Sequence, residues 1–282
     1  MAHQTDVLDL SELAWLVKSK SGIDLSRYRS TCLSRRVQHR MVMAGYKDIE
    51  EYIGRLTIDP DEMGKLMDVV TIHVTEFFRD RDVFGSLERG YVPALIDEKE
   101  TSGHGVVRAW SAGCATGEEA YSMAMMFDHA VSRVSPNMHI EIFGTDVSED
   151  SCRTARKGLY SEEKIESLPT DMRDRYFERE GRSWKVTSNL RSLVKFRPHD
   201  LFTASPYSHI DLIMCRNVLI HFEHEVREEI ITNFFRSLQD RGLLVLGKSE
   251  ALLEPLEDLF ELVEPRCKIY RKKLQKNHSR ED

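Results

Sequence analysis

The sequence has few of the features that mark secreted, metal-binding or membrane-spanning proteins. Its cysteines number only five, and they lack the paired spacing of a zinc site or of a disulfide framework. They are Cys32, Cys114, Cys152, Cys215 and Cys267. No apolar stretch approaches the length of a spanning helix, and residues 1–6 lack a basic and apolar signal pattern. We therefore expect a protein of the reducing cytoplasm, without a metal site and without membrane insertion.

Internal repeats and low-complexity segments are missing as well, which disfavours solenoid and disordered proteins. With 282 residues, of which 41% are hydrophobic and 31% charged, the chain is long enough for one or two globular domains.

Residues 106–121 combine a short apolar strand, a turn of small residues and an acidic helix start. Gly113 and Gly117 leave room for a ligand to lie against the turn. The helix begins near Glu118, and its apolar residues recur at spacings of three and four, which predicts that it packs on a sheet. These residues are Ala120, Met123, Ala124 and Phe127. In open α/β sheets such a turn is where a cofactor binds.

The turn does not favour a phosphate ligand. It lacks the G-x-G-x-x-G fingerprint, and Glu118 and Glu119 stand at the helix start, where they would repel a second anion. S-Adenosylmethionine fits these carboxylates better because it has no phosphate and carries a sulfonium, ribose hydroxyls and an amino group. An alternative stays open, in which the two glutamates merely complement the helix dipole.

Polar residues also follow the next predicted strands. Asp146 closes a strand at 139–145 and is predicted to accept hydrogen bonds from ribose hydroxyls, with helix N-capping as the alternative role. Further candidates are Asp200 and Leu201 after residues 193–197, and Asn217 and Val218 after residues 210–214. The latter segment lacks the Asn/Asp-Pro-Pro-aromatic tetrad of many amino-group methyltransferases, which disfavours a nucleobase substrate.

Four sequence blocks stand in a fixed order along the chain. They are residues 71–79 (TIHVTEFFR), 110–119 (WSAGCATGEE), 144–147 (GTDV) and 215–222 (CRNVLIHF). In this combination the chain resembles the CheR family of chemotaxis receptor methyltransferases, and the resemblance covers nearly its whole length.

The resemblance implies a set of contacts to S-adenosylmethionine. Thr75 and Arg79 are implied to hold it, with Arg79 on the cofactor's carboxylate. His73 stands where the family usually has asparagine, and Ala120 and His221 replace the usual proline and tyrosine. The remaining implied positions are Glu118, Asp146, Asp200, Leu201, Asn217 and Val218.

The resemblance also implies the reaction. Similar proteins methylate glutamate side chains on the cytoplasmic helices of chemoreceptors, forming glutamyl methyl esters and S-adenosylhomocysteine. A free glutamate has a pKa of about 4.3, so the nucleophile is already an anion and the in-line displacement needs no protonic catalyst. We therefore predict no catalytic side chain. The alternatives are a non-catalytic S-adenosylmethionine-binding sensor or scaffold that docks on receptors, and a methyltransferase for small molecules or nucleic acid.

The basic residues are concentrated near the N-terminus, although the net charge is −7. Residues 18–47 carry eight basic side chains and a single acid, Asp24. Arg29, Arg36 and Arg40 are spaced to share one helical face. We predict that this face docks receptor helices, with a simple solvated face as the alternative. Overall acidity and the lack of interleaved aromatic residues argue against a nucleic-acid surface.

The expected fold class is α/β, with a doubly wound, Rossmann-like sheet of the S-adenosylmethionine-dependent methyltransferase type. An all-helical domain is predicted at residues 1–80, with helix to about Phe78, and the methyltransferase domain at 81–282.

A small antiparallel insert is predicted at about 160–197, with residues 184–187 paired to 193–196. In similar proteins such an insert can grip a receptor's C-terminal tether peptide. The last strand, within 267–274, is placed at a sheet edge. We expect a monomer because no long amphipathic seam is left over.

Overall fold

The computed structural model describes residues 8–71, 74–252 and 254–274. The chain divides into two compact units. One holds the described part of residues 1–73 together with Ile220–Arg227, and the other holds the remainder. Among the described residues no helix is long and apolar enough to cross a bilayer, and no cluster of acidic, histidine and cysteine side chains could bind a metal ion.

The described N-terminal part of the first unit folds into four helices. They are α1 Ser11–Ser21, α2 Ser30–Ala44, α3 Ile49–Ile58 and α4 Pro60–Thr71. Asp48 caps α3 by accepting hydrogen bonds from two backbone N–H groups, while Gly22 and Gly45 end α1 and α2 in left-handed conformations. The apolar faces of the four helices form a buried core that includes Leu13, Val17, Val37, Tyr52, Leu56, Leu66 and Val70.

The predicted continuation of helix to Phe78 is wrong. The last of these helices ends at Thr71, and residues 74–80 form an irregular segment without helix. Phe78 and Asp80 have φ angles of 50° and 57°, which a right-handed helix does not accommodate.

A seven-stranded sheet forms the centre of the second unit. Its strands are β1 Val106–Ala112, β2 His139–Asp146, β6 Val194–Pro198, β7 Ile210–Cys215, β8 Leu238–Leu246, β9 Phe260–Glu264 and β10 Ile269–Lys272. The order across the sheet is β6-β2-β1-β7-β8-β10-β9. The strands from β6 to β8 run parallel, and β10 and β9 are added antiparallel. This confirms the expected doubly wound α/β sheet, in which the order reverses between β1 and β7.

Helices of the second unit alternate with these strands. They are α5 Arg81–Ser86, α6 Val92–Thr101, α7 Glu118–Val134, α8 Glu149–Lys157, α11 Ser188–Ser192 and α12 His224–Ser237, whose first turn belongs to the helical unit. A π-helical turn at Leu87–Tyr91 joins α5 to α6. In α7 the residues predicted to face the sheet, from Ala120 to Phe127, are fully buried.

A separate antiparallel sheet confirms the predicted insert. It contains β3 Leu159–Ser161, β4 Phe177–Glu180 and β5 Ser183–Val186 in the order β3-β5-β4, with α9 Glu162–Ile165 and α10 Thr170–Tyr176 between its strands.

Two predicted details of strand pairing are wrong. Residues 193–196 do not pair with 184–187, because α11 separates them and β6 pairs parallel with β2 in the main sheet. Phe196 of β6 covers Gly144, where an added Cβ would lie 2.5 Å from its ring. The last strand, β10, is also not at the edge, since β9 pairs outside it.

Candidate cofactor site at the carboxyl edge of the sheet

The turn after β1 is held against the end of β2. Gly113 and Cys114 both donate backbone N–H groups to the carbonyl of Thr145, each at 2.8 Å. Ala115 donates its backbone N–H to Asp146 Oδ2 at 2.9 Å and has a φ of 47°. Asp146 is therefore part of the turn's framework, and the N-cap of α8 is Ser148. The capping alternative for Asp146 is wrong, while its ribose contact stays a prediction.

The loop after β7 packs on the same turn. A Cβ added at Gly113 would lie 2.6 Å from Val218 Cγ2, so glycine is needed there for the close approach as well as for its φ of 79°. Asn217 has a φ of 61°, and its backbone N–H donates to Glu250 Oε2 at 3.0 Å. The Asn217 side-chain Oδ1 is buried and accepts no hydrogen bond from the described residues. An unused acceptor thus lies where the strand order reverses.

The first sequence block is anchored in the second unit by its two phenylalanines. Phe78 donates its backbone N–H to Ser122 Oγ of α7 at 2.9 Å. Phe77 packs edge-on against Tyr160, with ring centroids 4.9 Å apart. Thr75 and Arg79 therefore lie on a fixed segment. His73 lies outside the described residues.

Arg216 of the fourth block contacts the second block and Asp80, the residue directly after the first block, and was missed by sequence reasoning. Only 1% of its side chain is exposed, and it donates to Asp80 Oδ2 and, at 3.3 Å, to Glu119 Oε2. Ser111 donates to the other oxygen of Glu119 at 2.8 Å. The signal in the sequence was a lone arginine directly after the apolar strand β7, where a buried charge requires a partner.

The electrostatics place Arg79 close to this network. Burial raises the pKa of Glu119, and the guanidinium groups of Arg216 and Arg79 oppose that rise. Arg79 also donates Nη1 to the carbonyl of Val74 at 2.9 Å, which orients the guanidinium.

Glu118 is fully buried and has partners within the chain. Thr116 Oγ1 donates to its carboxylate at 2.7 Å, and Lys164 Nζ of α9 forms an ion pair with it. This contact also was not foreseen, because Lys164 belongs to the insert. The role of Glu118 in cofactor binding stays a prediction.

Asp200 and Leu201 follow β6, on the other side of β2 from the β1 turn. Asp200 Oδ1 accepts the backbone N–H of Phe202 at 2.9 Å, and the backbone N–H of His199 donates to the carbonyl of Asp146 at 2.9 Å. The structure therefore brings this pair next to the end of β2. Their contact with a cofactor stays a prediction.

The residues present fit S-adenosylmethionine. The acceptors at Asp146 and Asn217 suit hydroxyl and amino donors, and Arg79 suits a carboxylate. Two glutamates occupy the start of α7, so the turn is unsuited to phosphate.

The predicted basic face is only partly exposed, and its description needs correction. Arg29 is exposed but precedes α2 as its N-cap residue. Arg36 is 9% exposed and donates Nη1 to the carbonyl of Val70. Arg40 forms a two-pronged ion pair with Glu62. The expected exposed face is therefore not formed by Arg36 and Arg40, because their spacing of four also places them beside the buried stripe of α2. Their docking role stays a prediction.

Comparison with known proteins agrees with this geometry. Residues 8–71 match the family described as CheR methyltransferase, all-alpha domain, and residues 73–269 match CheR methyltransferase, SAM binding domain. A chemotaxis protein methyltransferase of Listeria monocytogenes is 33% identical over 86% of this chain and 89% of its own. A putative methyltransferase, Cher3, of Pseudomonas putida is 31% identical over 96% of this chain and 98% of its own.

A similar sequence also forms part of a longer protein. An uncharacterized 104.1 kDa protein of Rhodobacter capsulatus is 32% identical over 93% of this chain, which spans 27% of that protein. The two matched domains together cover most of the chain, and S-adenosylmethionine is confirmed as the cofactor of the second. Both domain matches show that the chain belongs to the CheR methyltransferase family.

Proposed function

We propose that this protein transfers the methyl group of S-adenosylmethionine to glutamate side chains of chemoreceptors in the cytoplasm, giving glutamyl methyl esters. The observation that carries the proposal is the turn after β1, which is hydrogen-bonded to Asp146 and begins α7 with two glutamates, so that it does not suit phosphate. The buried, unused acceptor Asn217 Oδ1 follows the neighbouring strand β7. Relatives named chemotaxis protein methyltransferase support receptors as the substrate.

Each residue of the site has a binding or orienting task. Bound S-adenosylmethionine supplies a methyl group activated by its sulfonium. Arg79 pairs with the cofactor's carboxylate, Asp146 accepts its ribose hydroxyls, and Asn217 Oδ1 accepts one further donor. Thr75, Glu118, Asp200, Leu201 and Val218 complete the proposed cofactor contacts, together with His73.

The receptor glutamate needs no general base. Its carboxylate is ionised at neutral pH, so alignment and exclusion of water are the main contributions left to the protein. Holding two reactants in the right geometry can supply about 7–11 kcal/mol of the barrier. A fixed framework such as the Arg216, Asp80 and Glu119 network is what such alignment requires.

Receptor docking is assigned to the exposed part of the basic segment. Arg29 and Arg35 are exposed, and among the described residues neither guanidinium has an ion-pair partner. Acidic receptor helices would be steered to these cations. The edges of the small sheet, β3 and β4, offer backbone groups to a receptor's tether peptide. We propose that the protein acts as a monomer.

The proposal is tested with methyl-labelled S-adenosylmethionine and membranes that carry chemoreceptors. We expect label on the receptor that mild base releases as methanol, as an ester requires. Label that resists base would contradict glutamate as the acceptor.

Two other results have distinct meanings. Tight cofactor binding without transfer to any receptor would favour a sensor or scaffold. Transfer to small molecules or nucleic acid in the absence of receptor would favour another methyltransferase class.

A further inference from the structure

One buried guanidinium contacts two distant parts of the chain. Arg36 Nη1 donates to the carbonyl of Val70, and its Nη2 lies 2.9 Å from His221 Nδ1. Val70 directly precedes the first cofactor block, residues 71–79. His221 belongs to the fourth block, residues 215–222, and is three residues after Val218. Arg36 therefore holds the chain directly before the first block and near the end of the fourth block.

The direction of the second hydrogen bond follows from the chemistry of arginine. A guanidinium has N–H donors and no acceptor, so His221 Nδ1 must accept. Burial, followed by the charge of Arg36, lowers the pKa of His221 to about 4, so the ring is neutral at pH 7 and carries its proton on Nε2.

Further contacts fasten the same segment to the helical unit. The backbone N–H of Arg29 donates to the carbonyl of His221 at 2.9 Å, and that of Glu223 donates to the carbonyl of Arg27 at 3.2 Å. Tyr28 pairs with Phe222 as an antiparallel bridge, with their rings edge-on at 5.0 Å. Residues 220–227 are thus an integral part of this unit although they are remote from it in sequence.

We propose that Arg36 and His221 are a positioning pair. Through it, helix α2 fixes the position of two chain segments, one directly before the first cofactor block and one near the end of the fourth. The inference rests on the proposed methyl transfer and adds residues that the cofactor contacts do not include. The planar fork of arginine is needed because its two donor groups reach two acceptors at once, which the compact ammonium of lysine does not reproduce.

Arg35 supplies a matched comparison. It is the neighbour of Arg36 on α2 but is exposed, and we assign it to receptor docking. If Arg36 were a docking residue, its replacement would resemble that of Arg35. If Arg36 positions the chain, its replacement should lower kcat, whereas replacement of Arg35 should raise the receptor KM.

The test measures receptor methylation with the full chain. Arg36→Gln is expected to lower kcat about tenfold, with the receptor KM and the cofactor Kd changed less than about twofold. Arg35→Gln is expected to raise the receptor KM several-fold without a matching loss of kcat. For both variants, calorimetry with S-adenosylhomocysteine measures the cofactor Kd, and thermal unfolding measures stability.

Replacements of His221 separate positioning from folding. In asparagine the acceptor Oδ1 is bonded to Cγ, as Nδ1 is in histidine, so His221→Asn is expected to retain most of kcat. His221→Leu has no acceptor and is expected to lower kcat as Arg36→Gln does. The double variant Arg36→Gln/His221→Leu is expected to lose about as much as either single variant, because the pair acts as one unit.

Three results would overturn the inference. One is an Arg36→Gln variant that changes only the receptor KM, and a second is additive loss in the double variant. The third is an equal loss of kcat in His221→Asn and His221→Leu, with both variants also less stable to heat. Failure of the wild-type protein to methylate any receptor would instead count against the proposed function.

Discussion

At the residue scale, unusual backbone conformations gather around the cofactor blocks. Of the seven non-glycine residues with positive φ in the described chain, four lie in or directly beside these blocks. They are Phe78, Asp80, Ala115 and Asn217. Such conformations are costly and persist only where neighbouring contacts enforce them, as Arg216 does for Asp80 and Glu250 does for Asn217.

Gly113 tests whether the close approach of the two loops matters for cofactor binding. Gly113→Ala would place a methyl group 2.6 Å from Val218 Cγ2, so we expect at least a roughly tenfold weaker affinity for S-adenosylhomocysteine by calorimetry. Gly103→Ala is the control, because Gly103 also has a positive φ, 74°, but an added Cβ there meets nothing within 4 Å. Both variants bear a backbone cost of about 1–2 kcal/mol, but only the first should lose affinity.

Arg79 is the residue on which the cofactor assignment depends most. Loss of a charge-assisted pair typically costs about 1.5–3 kcal/mol, so Arg79→Ala should bind S-adenosylhomocysteine roughly 10- to 100-fold more weakly. Arg81→Ala is the control because Arg81 donates instead to the carbonyl of Ser167. Unchanged affinity in Arg79→Ala would refute the assignment.

At the element scale, a buried polar cluster joins three helices of the first unit. Arg40 of α2 donates Nε to Glu62 Oε1 of α4 at 2.8 Å, and Tyr52 of α3 donates its hydroxyl to the same oxygen at 2.8 Å. The hydrogen bond from Arg40 lowers the pKa of Glu62, although burial opposes the shift. Each helix therefore contributes one group to a satisfied network.

Removal of the charge from Glu62 should destabilise this unit in a pH-dependent manner. At pH 7 Glu62→Gln is expected to lower the free energy of unfolding by about 1–3 kcal/mol, measured by denaturant titration with circular dichroism. Because the folded-state pKa of Glu62 lies below its ordinary value of 4.5, the stabilisation is complete above that value and is lost as the pH falls below it. The difference between wild type and variant should therefore shrink at acidic pH.

The control for this cluster is an exposed ion pair at the C-terminal end of α3. Arg55 and Asp59 form an i,i+4 pair in which the arginine side chain is 46% exposed. Arg55→Gln should change stability by less than about 1 kcal/mol. An equal effect of both replacements would show that the buried cluster has no special role.

At the scale of the whole molecule, the protein has a net negative charge, yet two exposed arginines, Arg29 and Arg35, lie close together in its sequence. If they steer receptor binding, kcat/KM for receptor methylation should fall as salt rises from about 0.05 to 0.5 M, since the Debye length shortens. Arg29→Gln/Arg35→Gln should lower both kcat/KM and its salt dependence. Lys157→Gln, which removes an exposed charge at the end of α8, is the control. An unaltered salt dependence in the double variant would place docking elsewhere.

The sequence by itself determined the parts of this protein that depend on local chemistry. Apolar runs and the small-residue turn located β1, β2, β6 and β7 and the start of α7, because burial on a parallel sheet requires continuous apolar residues. The acidic helix start excluded phosphate and led to S-adenosylmethionine, and the ordered blocks led to the family. The positions of Asp146, Asn217 and Val218 at strand ends were predictable for the same reason.

Only the tertiary structure decided which charged groups are buried and with whom they pair. Arg216 and Asp80 are 136 residues apart, and Arg36 and His221 are 185 apart, so no local pattern could pair them. The spacing of Arg36 and Arg40 suited a solvated face and a buried edge equally well, and the choice depended on acceptors supplied by Val70, Glu62 and His221. A buried charge is stable only where distant segments bring it partners, and that is a property of the folded chain.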